Sequence, residues 1–295
     1  MADRRIGWVG TGVMGRSMCM HIVKAGFEVA VSTRTRERAA DLEAAGAAWC
    51  DSPGAVAARS DVVFAIVGYP SDVEQVFLGD GAILDNAAPG TLLVDMTTSE
   101  PSLAKRIAAA AAERGCAALD APVSGGDVGA RGGTLAIMVG GAQADFDRAR
   151  PLFDVMGENI ALMGPAGAGQ HTKMSNQILI ASTMIGVVES LLYGQQAGLD
   201  QDEIIDVIGK GAAACWSINN LGRRIVQGNF DPGFFIKHFV KDMGIALAEA
   251  RAMNLALPGL ALAHQFYVAA IADGLEDLGT HGLYNVLARM NGAAE

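Results

Sequence analysis

A glycine-spaced segment near the start of the chain has the pattern of a loop that cradles phosphate groups. An apolar run at residues 6–9 leads into Gly10, Gly12 and Gly15, and a helix-forming stretch follows. Gly10 permits a tight turn, Gly12 lets the backbone approach a pyrophosphate, and Gly15 permits close packing of helix on strand. The N–H groups and the positive dipole end of that helix would face the phosphates. Because the segment lies between a predicted strand and a predicted helix, it favours a dinucleotide site over an ordinary glycine-rich turn.

The residues after the next predicted strand bear on which dinucleotide is bound. NAD sites usually place Asp or Glu about 20 residues beyond the glycines, where the carboxylate holds the ribose 2′-hydroxyl. This chain has Thr33 and Arg34 there. A carboxylate would repel a 2′-phosphate, whereas a hydroxyl and a guanidinium suit one. The sequence therefore predicts NADP, with NAD as the alternative if Arg34 is simply a solvated surface residue.

A lysine in an apolar helix is the main candidate for proton transfer. Lys173 lies early in a proline-free stretch, residues 171–197, that predicts one long helix. Asn176 and Gln177 follow three and four positions later, so all three side chains can share one helical face. Polar groups on such a helix need partners or a cleft, unless they form a solvated face. A partly buried lysine can exchange a proton with an alcohol, and Asn176 would orient the substrate or the lysine.

Two further segments lie where strands are predicted to end, which is where ligands bind in parallel sheets. In the first, Ser124 adds a hydroxyl to the accessible backbone N–H groups of Gly125 and Gly126, which together could hold a carboxylate. An ordinary Ser-Gly-Gly turn is the alternative. In the second, Thr98 could contact cofactor and substrate, or could take part in a helix cap with Ser99.

The elements that must position these residues change character near residue 165. Short, continuously apolar runs alternate with helical stretches before that point, as in strands covered on both faces. These runs are residues 6–9, 29–32, 62–67, 92–96, 117–121 and 135–139. Asp51-Ser-Pro53 and Ser99-Glu-Pro101 each predict a helix start. The sequence predicts an α/β fold with a Rossmann-type doubly wound parallel sheet over residues 1–164 and an all-helical domain over residues 165–295.

In the helical part, Asp200-x-x-Glu203 predicts a helix start, and further helices are expected over residues 243–254 and 258–274. Lys241 and Asp242 would open the first of these. Trp216 is expected in the core or, alternatively, in the lining of a substrate pocket.

Composition limits the classes of partner. Twenty-two Lys and Arg against 32 Asp and Glu give a formal net charge of −10, which argues against nucleic-acid binding. Four widely spaced cysteines predict free thiols in a reducing compartment, and the histidines show no metal-ligand spacing. Alanine-rich runs such as residues 107–112 are too short to span a bilayer. Since Met1–Arg5 runs straight into a strand, we expect a cytoplasmic protein without a signal peptide and without a membrane partner.

Four segments in this order resemble the β-hydroxyacid dehydrogenase family, which includes 3-hydroxyisobutyrate dehydrogenase and semialdehyde reductases. The resemblance covers nearly the whole chain, although His21 stands where the family often has Asn. The segments are Gly10-Thr-Gly-Val-Met-Gly-Arg-Ser-Met18, Asp120-Ala-Pro-Val-Ser-Gly-Gly126, Gly167-Ala-Gly-Gln-His-Thr-Lys-Met-Ser-Asn176 and Lys241-Asp242.

The resemblance implies a hydride transfer between a nicotinamide cofactor and a small carboxylate-bearing alcohol or semialdehyde. Lys173 would be the general acid and base, and a long inter-domain helix would carry it. The implied substrate-binding residues are Ser124, Gly125, Gly126, Asn176, Thr98 and Lys241. The implied cofactor-binding residues are Gly10, Gly12, Val13, Met14, Gly15, Thr33, Arg34, Val67, Thr98, Lys241 and Asp242. A homodimer or homotetramer is also implied.

Other functions fit the residues less well. Imine reductases related to this family often replace the lysine, which is present here as Lys173. A 6-phosphogluconate dehydrogenase would have a longer C-terminal region and a His beside the Asn, where this chain has Gln177. A catalytically silent dinucleotide sensor or scaffold would be expected to lose Lys173 or its companions. The sequence does not choose among glyoxylate, L-serine and several semialdehyde acids as substrates.

Overall fold

A computed structural model describes residues 4–292 and divides the chain into two compact units. The first unit ends at Lys173 and the second begins at Met174. Residues 1–3, on which the expectation of no signal peptide partly rests, lie outside the described part of the chain.

The first unit is built on one sheet. Residues 4–292 form nine strands: β1 (Arg5–Val9), β2 (Glu28–Ser32), β3 (Ala48–Trp49), β4 (Val62–Ala65), β5 (Leu92–Asp95), β6 (Ala117–Asp120), β7 (Val123–Ser124), β8 (Leu135–Gly140) and β9 (Gly157–Gly164). The strand order is β3-β2-β1-β4-β5-β6-β8-β7, and β9 pairs with β8. The pairs from β3 to β6 are all parallel, so the predicted doubly wound Rossmann arrangement is confirmed.

One edge of the sheet departs from the prediction. Strand β8 runs antiparallel to β6 and β7, and parallel to β9. The apolar run at residues 135–139 correctly predicted a buried strand. It could not predict the direction of that strand, because parallel and antiparallel strands can be equally apolar. Strands β3, β7 and β9 were not predicted. The first two have only two residues each, and β9 carries the polar residues Glu158 and Asn159 near its start.

Helices cover both faces of this sheet. They are α1 (Val13–Lys24), α2 (Ala40–Ala44), α3 (Pro53–Ala57), α4 (Pro70–Leu78), α5 (Ile83–Asn86), α6 (Pro101–Glu113), α7 (Gly126–Gly132) and α8 (Gln143–Phe153). The predicted starts of α3 and α6 are confirmed: each begins at a proline, and Ser52 accepts the N–H of Ala55 at 3.1 Å.

Burial on both faces explains the continuously apolar strands. Trp8 and Phe64 stack at 5.4 Å on one face, within a cluster that includes Phe153. Val63 and Leu93, which point the other way, belong to a second cluster on the opposite face.

The second unit is helical. Its elements are α9 (Ala168–Gln196, which begins in the first unit), α10 (Gln201–Ile208), α11 (Arg223–Val226), α12 (Ile236–Ala252), α13 (Pro258–Ala272) and α14 (Leu283–Met290). A π-helical turn covers Ile218–Gly222. The start of α10 is confirmed, because Asp200 accepts the N–H of Glu203 at 2.9 Å. Phe239 and Tyr267 pack edge to face, with their ring centroids 5.0 Å apart, in its core.

Helix α12 begins earlier than predicted, so Lys241 and Asp242 lie inside the helix and do not open it. The N–H groups of Ile236 and Lys237 donate to the carbonyl oxygens of Leu278 and Glu276, respectively. Because carbonyl groups distant in the sequence accept these N–H groups of the first turn, no local capping residue marks the start of the helix. The expectation of a core position for Trp216 is also wrong, because this side chain is 64% exposed.

Helix α9 is long and apolar enough to cross a membrane by length and composition, unlike the shorter alanine-rich runs considered from the sequence. About two fifths of its most apolar window, 39%, is buried inside the structure. A core helix of a globular protein meets the same length and composition test, so this helix does not by itself indicate a membrane protein.

Candidate active site

The glycine loop between β1 and α1 has the geometry of a phosphate site. Gly10 has a φ of 94°, and an added Cβ would overlap the carbonyl oxygen of Ile66. A Cβ at Gly15 would overlap the carbonyl oxygen of Gly10, whereas one at Gly12 would point into open space. No side chain caps α1, and its first turn contains no acidic residue. The positive end of α1 is therefore available to an anion at the open position above Gly12.

Thr33 and Arg34 follow the end of β2, as predicted. The Arg34 side chain is 86% exposed and lies 3.4 Å from Asp72. The neighbouring Arg36 is instead paired with Glu43 at 2.8 Å and stacked 5.1 Å from the ring of Trp49. Of these two arginines, Arg34 is the one that can reorient toward a ligand at low cost, because a long ion pair between exposed groups contributes little.

The segments that follow β4 and β5 are tied to each other. The N–H of Val67 donates to Thr97 Oγ1 at 3.0 Å, and the N–H of Thr97 donates to Asp95 Oδ1 at 2.9 Å. The position of an added Cβ at Gly10 lies 3.3 Å from Val67 Cγ1. The structure therefore brings Val67 beside the glycine loop and places Thr98 next to Thr97 at the same sheet edge.

Ser124 and the two glycines do not form a plain turn. Ser124 belongs to β7 and pairs with Ala136, Gly125 takes the N-cap position with a φ of 130°, and Gly126 is the first residue of α7. Ser124 is half-buried. The nearby carboxylate of Asp127 is paired with Arg131 at 2.6 Å, which offsets its repulsion of an anion.

Lys173 is 6% exposed and lies in the second turn of α9. Its helix start is anchored on the sheet by a residue that sequence reasoning did not assign: Asp120, at the end of β6, accepts the N–H of Gly167 at 2.7 Å and that of Gln170 at 2.8 Å. Burial raises the pKa of the Asp120 carboxyl, and these backbone donors oppose that rise. Asp120 and Gln170 both stand inside the segments that carry the family resemblance, and a buried amide in an apolar helix signals a specific partner.

In the second unit, Asn176, Lys241 and Asp242 are brought together through Gln177. Asn176 Nδ2 donates to Gln177 Oε1 at 2.7 Å, and Gln177 Nε2 donates to Asp242 Oδ2 at 2.6 Å. Lys241 Nζ lies 3.0 Å from Asp242 Oδ1. Asp242, predicted to touch the cofactor, is fully buried and contacts both Gln177 and Lys241. We call this chain of polar contacts, from Asn176 through Gln177 and Asp242 to Lys241, the relay. Gln177 was not among the predicted site residues.

Two other predicted features concern cysteines and metals. Cys19, Cys50, Cys116 and Cys215 are all free thiols, as expected. Within residues 4–292, no group of three or more His, Cys, Asp or Glu side chains could hold a metal ion.

A doubly wound sheet with a glycine loop before an uncapped helix and with a buried lysine, followed by a helical unit, is the arrangement expected of a nicotinamide-dinucleotide oxidoreductase. Residues 5–164 match the family model for the NAD-binding domain of 6-phosphogluconate dehydrogenase, and residues 167–287 match that for the NAD-binding domain of NADP-dependent 3-hydroxyisobutyrate dehydrogenase. The chain belongs to the β-hydroxyacid dehydrogenase family and is an NAD(P)-dependent oxidoreductase.

Relatives and solved structures agree with this membership. An uncharacterised oxidoreductase of Bacillus subtilis is 53% identical over 96% of this chain and 98% of its own length. A probable mitochondrial 3-hydroxyisobutyrate dehydrogenase-like protein of Arabidopsis thaliana is 53% identical over 98% of this chain and 87% of its own. A Mycobacterium tuberculosis 3-hydroxyisobutyrate dehydrogenase structure with L-serine superposes with a TM-score of 0.88 at 30% identity, covering 96% of this chain and 99% of that one.

The two glycines test the phosphate loop. Gly12→Ala should leave the melting temperature nearly unchanged and weaken NADPH binding at least about 10-fold, or about 1.4 kcal/mol, because its methyl group occupies the open space above α1. Gly15→Ala should lower both stability and affinity, because its methyl group overlaps backbone. Thermal unfolding and fluorescence titration measure the two effects. Unchanged NADPH affinity in folded Gly12→Ala protein would show that phosphates do not bind here.

The two arginines test the cofactor preference. Arg34→Ala should weaken NADPH binding by roughly 10-fold or more and NADH binding little, since a charge-assisted hydrogen bond contributes about 1.5–3 kcal/mol. Arg36→Ala is the matched control, because Arg36 is paired with Glu43 and should affect stability more than cofactor selectivity. Dissociation constants for both cofactors check this. A higher kcat/KM with NADH than with NADPH in the wild-type protein would contradict the prediction.

Proposed function

We propose that this protein transfers a hydride between NADP and a small carboxylate-bearing hydroxyacid or semialdehyde, with Lys173 as the general acid and base. The observation that carries the proposal is the burial of Lys173 in the second turn of α9, whose start is fixed at the end of β6. Ligands of doubly wound sheets bind at the carboxyl ends of the strands. A lysine buried near these strand ends could exchange a proton with a ligand that is bound there.

Lys173 transfers a proton to or from the substrate oxygen. When bound, NADP supplies the hydride acceptor, and NADPH the hydride donor. During reduction, the Lys173 ammonium donates a proton to the carbonyl oxygen as the carbonyl carbon gains the hydride. During oxidation, the neutral amine accepts the hydroxyl proton as the same carbon loses the hydride. A side chain that both donates and accepts this proton is the general acid in one direction of the reaction and the general base in the other.

Asn176 follows Lys173 by three positions on α9 and serves to orient the substrate. Its side chain is held by Gln177, which is held in turn by Asp242. Lys241 is fixed by the same carboxylate. A side chain whose rotamer is set by a buried hydrogen bond loses little further freedom when it binds a ligand.

Ser124 and the backbone of Gly125 and Gly126 would bind the substrate carboxylate. A hydroxyl and two backbone N–H groups suit an anion, and Arg131 already neutralises the neighbouring Asp127. Support for this substrate class comes from the 3-hydroxyisobutyrate dehydrogenase relatives and from the related structure with L-serine, a hydroxyl compound that carries a carboxylate. Support for NADP comes from Arg34 and from the NADP-dependent family model.

Lys173→Ala should lower kcat at least roughly 100-fold, in line with general acid–base contributions, while NADPH still binds. Lys173→Arg is the informative companion, since it keeps the positive charge but cannot release a proton at neutral pH. Both variants should show this loss of turnover if proton transfer is the role of this residue. Turnover close to wild type in folded Lys173→Ala protein would overturn the assignment.

The carboxylate site predicts discrimination between aldehydes of equal length. Succinic semialdehyde should have a much higher kcat/KM than butanal, because binding of the remote carboxylate positions the reacting carbon. Ser124→Ala should reduce this ratio and leave NADPH affinity unchanged. A side chain at Gly125 would strain the backbone at its φ of 130°, so Ser124 is the cleaner position to vary. If succinic semialdehyde is turned over but butanal reacts equally well, the substrate class is wrong.

A further inference from the structure

A glutamine near the start of α9 connects the helix that carries Lys173 with the segment that carries Thr98. Gln170 is fully buried. Its Oε1 accepts the N–H of Ser99 at 2.9 Å, and its Nε2 donates to the carbonyl oxygen of Thr97 at 2.7 Å. The two hydrogen bonds hold the main chain at Thr97 and Ser99, on either side of Thr98. They require one acceptor and one donor on the same side-chain group, which an amide supplies and a carboxylate or thioether does not.

The main chain of Gln170 is fixed from another direction. Its N–H donates to Asp120 Oδ2, while Asp120 Oδ1 accepts the N–H of Gly167. One carboxylate thus satisfies two of the N–H groups that a helix start leaves without intrahelical partners. Gln170 cannot shift along or around the helix axis without breaking these bonds.

The helix start has almost no space in which to move. An added Cβ at Gly169 would lie 2.6 Å from the carbonyl oxygen of Asp120 and would overlap that of Met138. A Cβ at Gly140, the last residue of β8, would lie 2.8 Å from the nitrogen of Gly169. These close approaches of backbone atoms show that the first turn of α9 packs directly against the ends of β6 and β8.

The hydrogen bonds continue from Thr97 to Val67, which packs beside the glycine loop. Thr97 Oγ1 accepts the N–H of Val67, and Val67 lies beside Gly10. A single hydrogen-bonded network therefore runs from Val67, beside the cofactor loop, through residues 97–99 to the first turn of α9. Lys173 follows Gln170 by three positions, about one helical turn.

We propose that Gln170 is a positioning residue, which holds Lys173 in register with Thr98 and the cofactor loop. The inference rests on the proposed role of Lys173 in proton transfer. A misplacement of about 1 Å can cost roughly 100-fold in rate, so a clamp on both segments acts directly on turnover. Gln170 touches neither the substrate nor the transferred proton and acts through the two segments that it joins.

Gln170→Met tests the clamp, because it keeps the length of the side chain and removes both hydrogen bonds. We expect kcat to fall at least about 10-fold while NADPH affinity changes less than about 3-fold. Amide hydrogen exchange should accelerate both in residues 97–99 and in residues 167–173. Ser60→Ala is the matched control: it removes another buried hydrogen bond of the first unit, to the carbonyl oxygen of Val56, and should lower stability without changing kcat.

Gln170→Glu provides a second test that does not depend on the folding of the first variant. An ionised carboxylate lacks the donor for Thr97, whereas a protonated carboxyl group has both a donor and an acceptor. Activity relative to wild type should therefore recover as the pH falls through the pKa of the introduced group. If Gln170 only stabilised the fold, the kcat of the folded variant would keep a constant ratio to the wild-type value across this pH range.

The proposal is overturned if exchange in residues 97–99 is unchanged in Gln170→Met, or if kcat stays at the wild-type value while exchange accelerates in both segments. A flat ratio to wild-type activity across pH in Gln170→Glu also contradicts it. Failure of the proposed function gives a different pattern: Lys173→Ala would stay active, whereas the exchange data would still report whether Gln170 joins the two segments.

Discussion

The carboxylate of Asp120 is the point at which the sheet fixes the start of the long helix. It ends β6, is buried, and accepts N–H groups from the first turn of α9. Burying a carboxylate costs free energy unless hydrogen bonds compensate, and the positive end of a helix compensates well. This contact sets where α9 begins and therefore where Lys173 lies. Glycine at positions 140 and 169 is a consequence of this contact, because a Cβ at either position would overlap atoms at the junction of the sheet and α9.

The two arginines after β2 show how the surroundings, and not the residue type alone, define a candidate binding residue. Arg34 and Arg36 carry the same charge two positions apart in the sequence. Arg36 is held by Glu43 and by the face of Trp49, so its reorientation would break both contacts. Arg34 has one long ion pair with Asp72 and is otherwise exposed. A 2′-phosphate would exchange this weak contact for a charge-assisted hydrogen bond, which favours Arg34 as its ligand.

Local patterns predicted the parts of this protein that depend on local chemistry. The glycine loop, the proline-led starts of α3 and α6 and the capped start of α10 all came from a few adjacent residues. The parts that were missed depend on distant groups. Helix α12 starts where the carbonyl groups of Glu276 and Leu278 satisfy its first turn, and strand β8 reverses direction without any change in hydrophobicity. Gln170 is the clearest case, because its side-chain partners lie more than 70 positions away in the sequence.

The relay from Asn176 through Gln177 and Asp242 to Lys241 is hard to explain as a device for stability. Buried charged and amide groups generally contribute no more to the free energy of unfolding than well-packed apolar side chains of similar size. Asp242 nevertheless stands fully buried in a unit whose other buried side chains are mostly apolar. What the relay does provide is orientation, since directional hydrogen bonds join Asn176 to Gln177 and Gln177 to Asp242. The proposed role of Asn176 in orienting the substrate accounts for such a relay, whereas the packing of an apolar core does not require one.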